Sequence, residues 1–227
     1  MPRQKIRITR KESQELTRQR LLEAARRQFA RDGHSGTSVD RIAAEAGFSK
    51  GAFYSNFDSK EAILLEILAG HHADYIEDLR TAIDNASSAE ELHAALCRWS
   101  EMRNHEPEWA DLNIELLFQA KRDPRFRARY LAYFQRYRAA LTELIELRFA
   151  KVGRLPPAPV EALASALIAL ADGFAMQRGL AGSPELEITG TMLNLVSDGW
   201  LAIAQPFPSR EDAASGSSAD RGVPRAG

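Results

Sequence analysis

The stretch TSVDRIAAEAGFSKGAFYSNF, Thr37 to Phe57, decides the fold of this 227-residue chain. Thr37 and Ser38 suit a helix N-cap, and Asp40 suits the first turn, where a carboxylate meets the positive end of the helix dipole. Val39, Ile42, Ala43 and Ala46 follow at helical spacing and give one apolar face. Gly47 stands where the chain must turn left-handed, a conformation that costs glycine nothing. Phe48 then plugs the gap, and Ser49 caps a second helix whose apolar Phe53 and Phe57 are four apart. Two short helices joined by a glycine turn predict a helix-turn-helix, the device that lays one helix in the major groove of DNA.

The outward side of the second helix carries Lys50, Gly51, Ala52, Tyr54, Ser55 and Asn56. Gly51 and Ala52 let the backbone come close to base edges, and Ala52 can touch a thymine methyl. Lys50 reaches guanine O6 and N7 or a phosphate. Tyr54, Ser55 and Asn56 suit phosphate oxygens, which fix register without reading sequence. A small-residue hairpin with a solvated polar face is the plainer reading of the same spacing.

The residues around this stretch resemble the DNA-binding domain of the TetR family of bacterial transcriptional regulators from about Thr17 to Leu68. The matching runs are Arg18 to Gly33 (RxRLLEAARRQFARDG), Thr37 to Phe57, and Asp58 to Leu65 (DSKEAILL). The resemblance implies that Thr37, Ser38, Ser49, Tyr54, Ser55, Asn56 and Lys60 contact the DNA backbone, while Lys50, Gly51 and Ala52 face bases. It also implies that Phe29, Ile42, Phe48, Phe53 and Phe57 form the small core of the head. Asn56 departs from the family pattern, which usually has His or a tyrosine-like ring before the final Phe; an amide can still donate to a phosphate.

Charge agrees with this placement. The chain holds 30 Lys/Arg and 31 Asp/Glu, a formal −1, which by itself points to no nucleic-acid partner. Residues 1–60 hold 13 against 7, a formal +6, and the remainder 17 against 24, a formal −7. A basic head on an acidic body is the asymmetry expected when one end meets phosphate. Residues 1–15 form a basic, apolar-poor arm, expected to be disordered, that either enters a minor groove or serves as a solubilising tail.

The head is thus read as 16–62 and a helical regulatory and dimerisation body as 63–204, making the fold all-α. Asp58 with Glu61 resembles a capping box opening a long helix to about Ile83. Further helices are expected over about 89–103, from Pro107, and after Pro124 to about Val152, with 153–159 as a linker. The segments near 158–180 and 185–204 are apolar nearly all round, so each must be buried on more than one side. Either they form an internal core pair, or they make a four-helix bundle with a second copy, the arrangement the resemblance also implies. Residues 205–227 are low-complexity and expected to be disordered.

An effector pocket for a small hydrophobic molecule is expected among the middle helices, with Trp99, Met102, Leu116, Phe118 and Phe134 as its lining. Large residues at helical spacing equally suit plain core. Asp111, Asn113, Glu115 and Gln119 are candidate polar anchors. No cofactor and no metal are implied: His71 and His72 are adjacent and point apart, and His93 and His105 lack accompanying ligands. Neither a nucleophile elbow nor a phosphate-cradling loop occurs, which argues against an enzyme. The single Cys97 fits a reducing cytoplasm, no signal-peptide pattern opens the chain, and no stretch approaches the roughly 20 apolar residues that span a bilayer. The function these readings imply is a cytoplasmic dimer that binds a palindromic DNA operator and represses transcription until an effector fills its body. An effector-independent DNA binder or an activator of the same fold is the alternative.

Overall fold

Thr9 caps the first helix of the head: its side chain accepts from the Glu12 amide, and Glu12 accepts in return from the Thr9 amide. That reciprocal cap satisfies two donors that a helix end otherwise leaves unpaired. It opens α1 (Arg10–Gly36), so residues 10–15, expected to be disordered, are helical. The structure is a computed structural model and describes residues 9–103, 107–177 and 189–207. The remaining helices are α2 (Val39–Ala46), α3 (Lys50–Tyr54), α4 (Lys60–Asn85), α5 (Ala89–Arg103), α6 (Pro107–Arg122), α7 (Pro124–Lys151), α8 (Val160–Gln177) and α9 (Thr189–Ile203). The fold is all-α, as the sequence predicts.

Most boundaries follow local chemistry. Asp123 caps α7 through the Arg125 amide, with Pro124 in the first turn, where a missing N–H costs nothing. The start of α4 differs from expectation: Ser59 is the N-cap, accepting from the Ala62 amide, and Asp58 instead pairs with Arg129 of α7. The expected linker after α7 contains β1 (Arg154–Leu155), which pairs antiparallel with β2 (Gln205–Pro206) and ties the end of α9 to the end of α7.

Two apolar clusters hold the molecule. The first joins Leu21, Phe29, Ile42, Phe53 and Phe57 of the head to Ile63, Leu64 and Leu68 of α4, and continues into Leu116, Phe126 and Tyr130 of the body. The expected boundary at 62/63 therefore falls inside one helix and one continuous core. The second cluster lies farther along, where Leu79 and Ile83 of α4 meet Leu144, Ile145 and Phe149 of α7 and Leu163 and Ile168 of α8. At about 1.5 Å per residue, the 26 residues of α4 form a rod of about 39 Å that belongs to both.

α8 packs on α6, α7 and α9, yet much of its surface is open. Leu170 and Met176 on α8, and Leu195 and Ile203 on α9, are exposed in the single chain, Ile203 at 69%. By length and composition α8 is long and apolar enough to cross a membrane, with mean hydropathy 1.3 over 18 residues; this amends the expectation that no stretch comes near that limit. Its Asp172 accepts a hydrogen bond from Asn113 of α6, a protein partner for a charge that hydrocarbon would leave unpaired.

Candidate functional site

In the head, Gly47 adopts φ +77° and closes α2, while the Phe48 amide reaches back to the Ala43 carbonyl at 2.8 Å. This left-handed closure sets the angle at which α3 leaves α2. Phe48 is partly buried against the head core, and Phe53 and Phe57 are buried. The opposite side of α3 is open: Lys50, Gly51, Tyr54 and Ser55 are exposed, with Ala52 and Asn56 half-buried. Residues 50–56 thus present the polar, small-residue face that the sequence predicts.

Several side chains on that face have partners within the chain. The Lys50 ammonium lies 2.9 Å from an Asp40 carboxylate oxygen, and both groups are exposed. Ser38 and Ser49 are N-caps, accepting from the Arg41 and Ala52 amides. The Ser55 hydroxyl donates to Gly51 O and the Asn56 amide to Ala52 O, at 2.9 and 2.8 Å.

Thr37 and Lys60 stand differently. Thr37 is 3% exposed, its hydroxyl donates to Gly33 O, and its amide donates to His34 O, so it closes α1 rather than capping α2. The Lys60 ammonium donates to the carbonyls of His34 and Thr37, at 2.7 and 3.0 Å. It pins the loop before α2 from behind. A direct backbone contact from the Thr37 side chain has no geometric support, because the group is buried and already paired.

Sequence reasoning missed the residues that brace this face. Arg18 of α1 donates to Asn56 O, pairs with Glu66 of α4 and lies over the Phe57 ring at 4.3 Å. Arg41 joins Gly36 O to Asp32. At the bend of α1, where Gly33 has φ +66°, His34 contacts two other elements. Its amide donates to Glu115 of α6 at 3.1 Å, and its ring nitrogen lies 3.1 Å from Glu61 of α4. The His34 hydrogen bond is the main reason the Glu61 carboxyl is held down at about 2. Charge density alone carries no signal for the Arg18 and His34 contacts, whose partners lie 27 to 81 residues away; only those of Arg41, 5 and 9 residues off, are local.

The body holds an apolar cavity of about 110 Å³ among α4, α5, α7, α8 and α9, lined in part by Tyr75, Leu79, Tyr137, Leu141, Ile168 and Trp200. This is not where the sequence placed a pocket. Leu116 is fully buried in the first cluster, and Phe134 is partly buried between the two clusters. Phe118 is exposed beside a separate cleft with His34, Glu115, Gln119 and Arg122. None of these three lines the cavity. The side chains of Trp99 and Met102 lie outside the described residues. Next to the cavity, His72 stacks on Tyr137 with centroids 4.2 Å apart and shares a hydrogen bond with the Tyr133 hydroxyl. Burial pushes His72 down to about 3 and Tyr133 well up, so a neutral ring accepts from a protonated phenol. Among the described residues no group of three or more His, Cys, Asp or Glu is arranged to hold a metal ion.

Residues 21–67 match the family described as bacterial regulatory proteins, tetR family, and residues 88–196 match the BetI-type transcriptional repressor C-terminal family. The chain belongs to the TetR family. It is a DNA-binding transcriptional regulator and not an enzyme. It is 28% identical over 176 residues to the HTH-type transcriptional repressor AcnR of Corynebacterium efficiens, covering 74% of this chain and 85% of the relative. The HTH-type transcriptional regulator BetI of Agrobacterium fabrum is also 28% identical, over 171 residues, covering 74% and 80%. A TetR-type fold is shared with a transcriptional regulator from Saccharomonospora viridis solved in complex with choline, at TM-score 0.57 and 21% identity, covering 84% of this chain and 99% of that one. TetR-family regulators bind DNA and dimerise.

Proposed function

We propose that this TetR-family regulator is a cytoplasmic homodimeric repressor that reads a palindromic operator and leaves it when a small, largely apolar effector enters the cavity of the body. The observation that carries this reading is α4. One end supplies Ile63, Leu64 and Leu68 to the core of the head, and the other supplies Tyr75, Leu79 and Ile83 to the cavity wall. A ligand that separates α4 from α7 moves the head, and it favours one head position by its differential affinity for the two. Coupling of about 1–3 kcal/mol changes operator affinity roughly 5- to 150-fold.

In this reading Lys50, Gly51 and Ala52 meet base edges, and Ser38, Ser49, Tyr54, Ser55 and Asn56 meet phosphates. Lys60 and Thr37 hold the frame. A single five-residue recognition helix buries too little to select one site in a genome, so two heads on one duplex are needed. The exposed apolar faces of α8 and α9 supply the contact between copies.

Selection of genomic fragments by the purified protein tests the reading. A palindromic sequence should be enriched, with half-sites spaced by about one or more turns of DNA. Lys50→Ala should relax base preference, while Tyr54→Phe should weaken all sites alike, roughly fivefold for one lost phosphate bond. Enrichment without any two-fold motif would overturn it.

A further inference from the structure

The cavity lining is mostly aliphatic and aromatic, with Asn194 and Ser197 of α9 among its few polar residues. Arg148 of α7 is the single charged side chain of its described lining. Arg148 is only 9% exposed. A guanidinium withdrawn from water is tolerated when its N–H groups are paired. Asp198 accepts from one terminal nitrogen, and it divides its charge with His93, whose ring nitrogen lies 3.1 Å from its other oxygen. The Arg148 Nε–H is buried and has no hydrogen-bond partner among the described residues. Burial works against the charge of Arg148, and Asp198, which does not line the cavity, offsets this only in part.

We infer that the effector is a small apolar carboxylate that pairs with the Arg148 guanidinium while its hydrocarbon body lies against Leu79, Leu141 and Ile168. This rests on the reading of the cavity as the effector site. An arginine edge presents its N–H groups in the plane a carboxylate requires, and the apolar walls strengthen the attraction by excluding water. The cavity of about 110 Å³ is somewhat smaller than a void of roughly 150 Å³ that takes up benzene. It therefore suits a body smaller than benzene, of about four or five carbons, as in the chain of hexanoate beyond its carboxyl. A cationic head group has no acidic residue to meet in the described lining.

Hexanoate, hexan-1-ol and hexylamine, titrated calorimetrically against the full-length protein, separate the possibilities. Hexanoate should bind, and Arg148→Gln should weaken it roughly tenfold to a hundredfold, the value of a charged hydrogen bond, while hexan-1-ol is little affected. Because Arg148→Gln takes from Asp198 one of its two partners and can impair folding, Asp198→Asn provides an independent arm. Removing the competing carboxylate should tighten hexanoate binding. Should hexan-1-ol bind wild type as tightly as hexanoate, or Asp198→Asn fail to tighten the acid, the carboxylate assignment is wrong although the cavity still binds ligand. Binding of none of the three probes would sink the effector-site reading itself.

Discussion

Gly47 and Gly51 lie four residues apart in the motif and make opposite demands on the backbone. Gly47 has φ +77° with no heavy atom within 4 Å of where a Cβ would stand, so a substitution meets strain and no clash. Gly47→Ala should cost about 1 kcal/mol in denaturant unfolding, and Gly47→Asn less, since asparagine tolerates the left-handed region better. Gly51 is helical, and its added Cβ would sit 3.7 Å from the Ser49 hydroxyl, an ordinary contact. Gly51→Ala should leave stability unchanged or raise it by up to about 1 kcal/mol, yet weaken operator binding if the backbone there approaches the bases. Loss of stability without loss of binding in the Gly51 variant would remove that helix from the groove. Both glycines are legible from sequence because their requirements are local. Lys60 and Thr37 are not: the lysine's partners are carbonyls 23 and 26 residues away, and only the folded loop shows that the threonine is buried.

Among the elements, α4 carries two titratable side chains, Glu61 and His72, whose shifted pKa values make stability depend on pH. His72 has its folded pKa lowered from 6.5 to about 3 by burial against the tyrosines and by His71 beside it. In the unfolded chain it protonates below about 6.5, whereas in the folded chain it resists. The folded state therefore binds fewer protons, and its stability is whole above pH 6.5 and declines as pH falls towards 3. The slope is at most about 1.4 kcal/mol per pH unit, or about 2 kcal/mol between pH 6.5 and 5. Glu61 contributes stability that is present above pH 4.5 and lost only as pH falls from there through about 2, so it stays silent in this interval. Thermal unfolding at pH 7 and pH 5 should show a larger loss for wild type than for His72→Gln, which keeps a hydrogen-bonding group near Tyr133; equal losses would mean that His72 is solvated. The helix itself could be read from its apolar spacing and the break at Asn85. Its cap could not: Asp58 and Ser59 are both good caps, and the choice falls to Ser59 because Asp58 is drawn to Arg129, 71 residues away. The cavity was equally hidden, since a void is defined by side-chain volume missing between helices that the sequence does not place side by side.

At the scale of the whole molecule, the decisive surface is the one left uncovered. Leu195 and Ile203 on α9 are 63% and 69% exposed, and Met176 on α8 is 52% exposed, a combination that a single copy in water disfavours. Leu195, Gly199, Ala202 and Ile203 recur at helical spacing, and Gly199 has open space above it, so a second helix can approach closely. The apolar character of α8 and α9 was evident in the sequence; which of their residues remain outward became clear only once α6 and α7 had taken the inner faces. Leu195→Glu combined with Ile203→Glu places two like charges from each copy at the contact without touching the second cluster, to whose buried core neither residue belongs. The wild type should sediment at about twice 25.2 kDa and the double variant at 25.2 kDa. The isolated chain should keep its helical content, because its two cores are internal, while operator affinity falls steeply, since one head alone forfeits the second half-site. A variant that becomes monomeric yet binds the full operator as before would show that each head reads its site without the other, and the distance set by the body would then have no part in control.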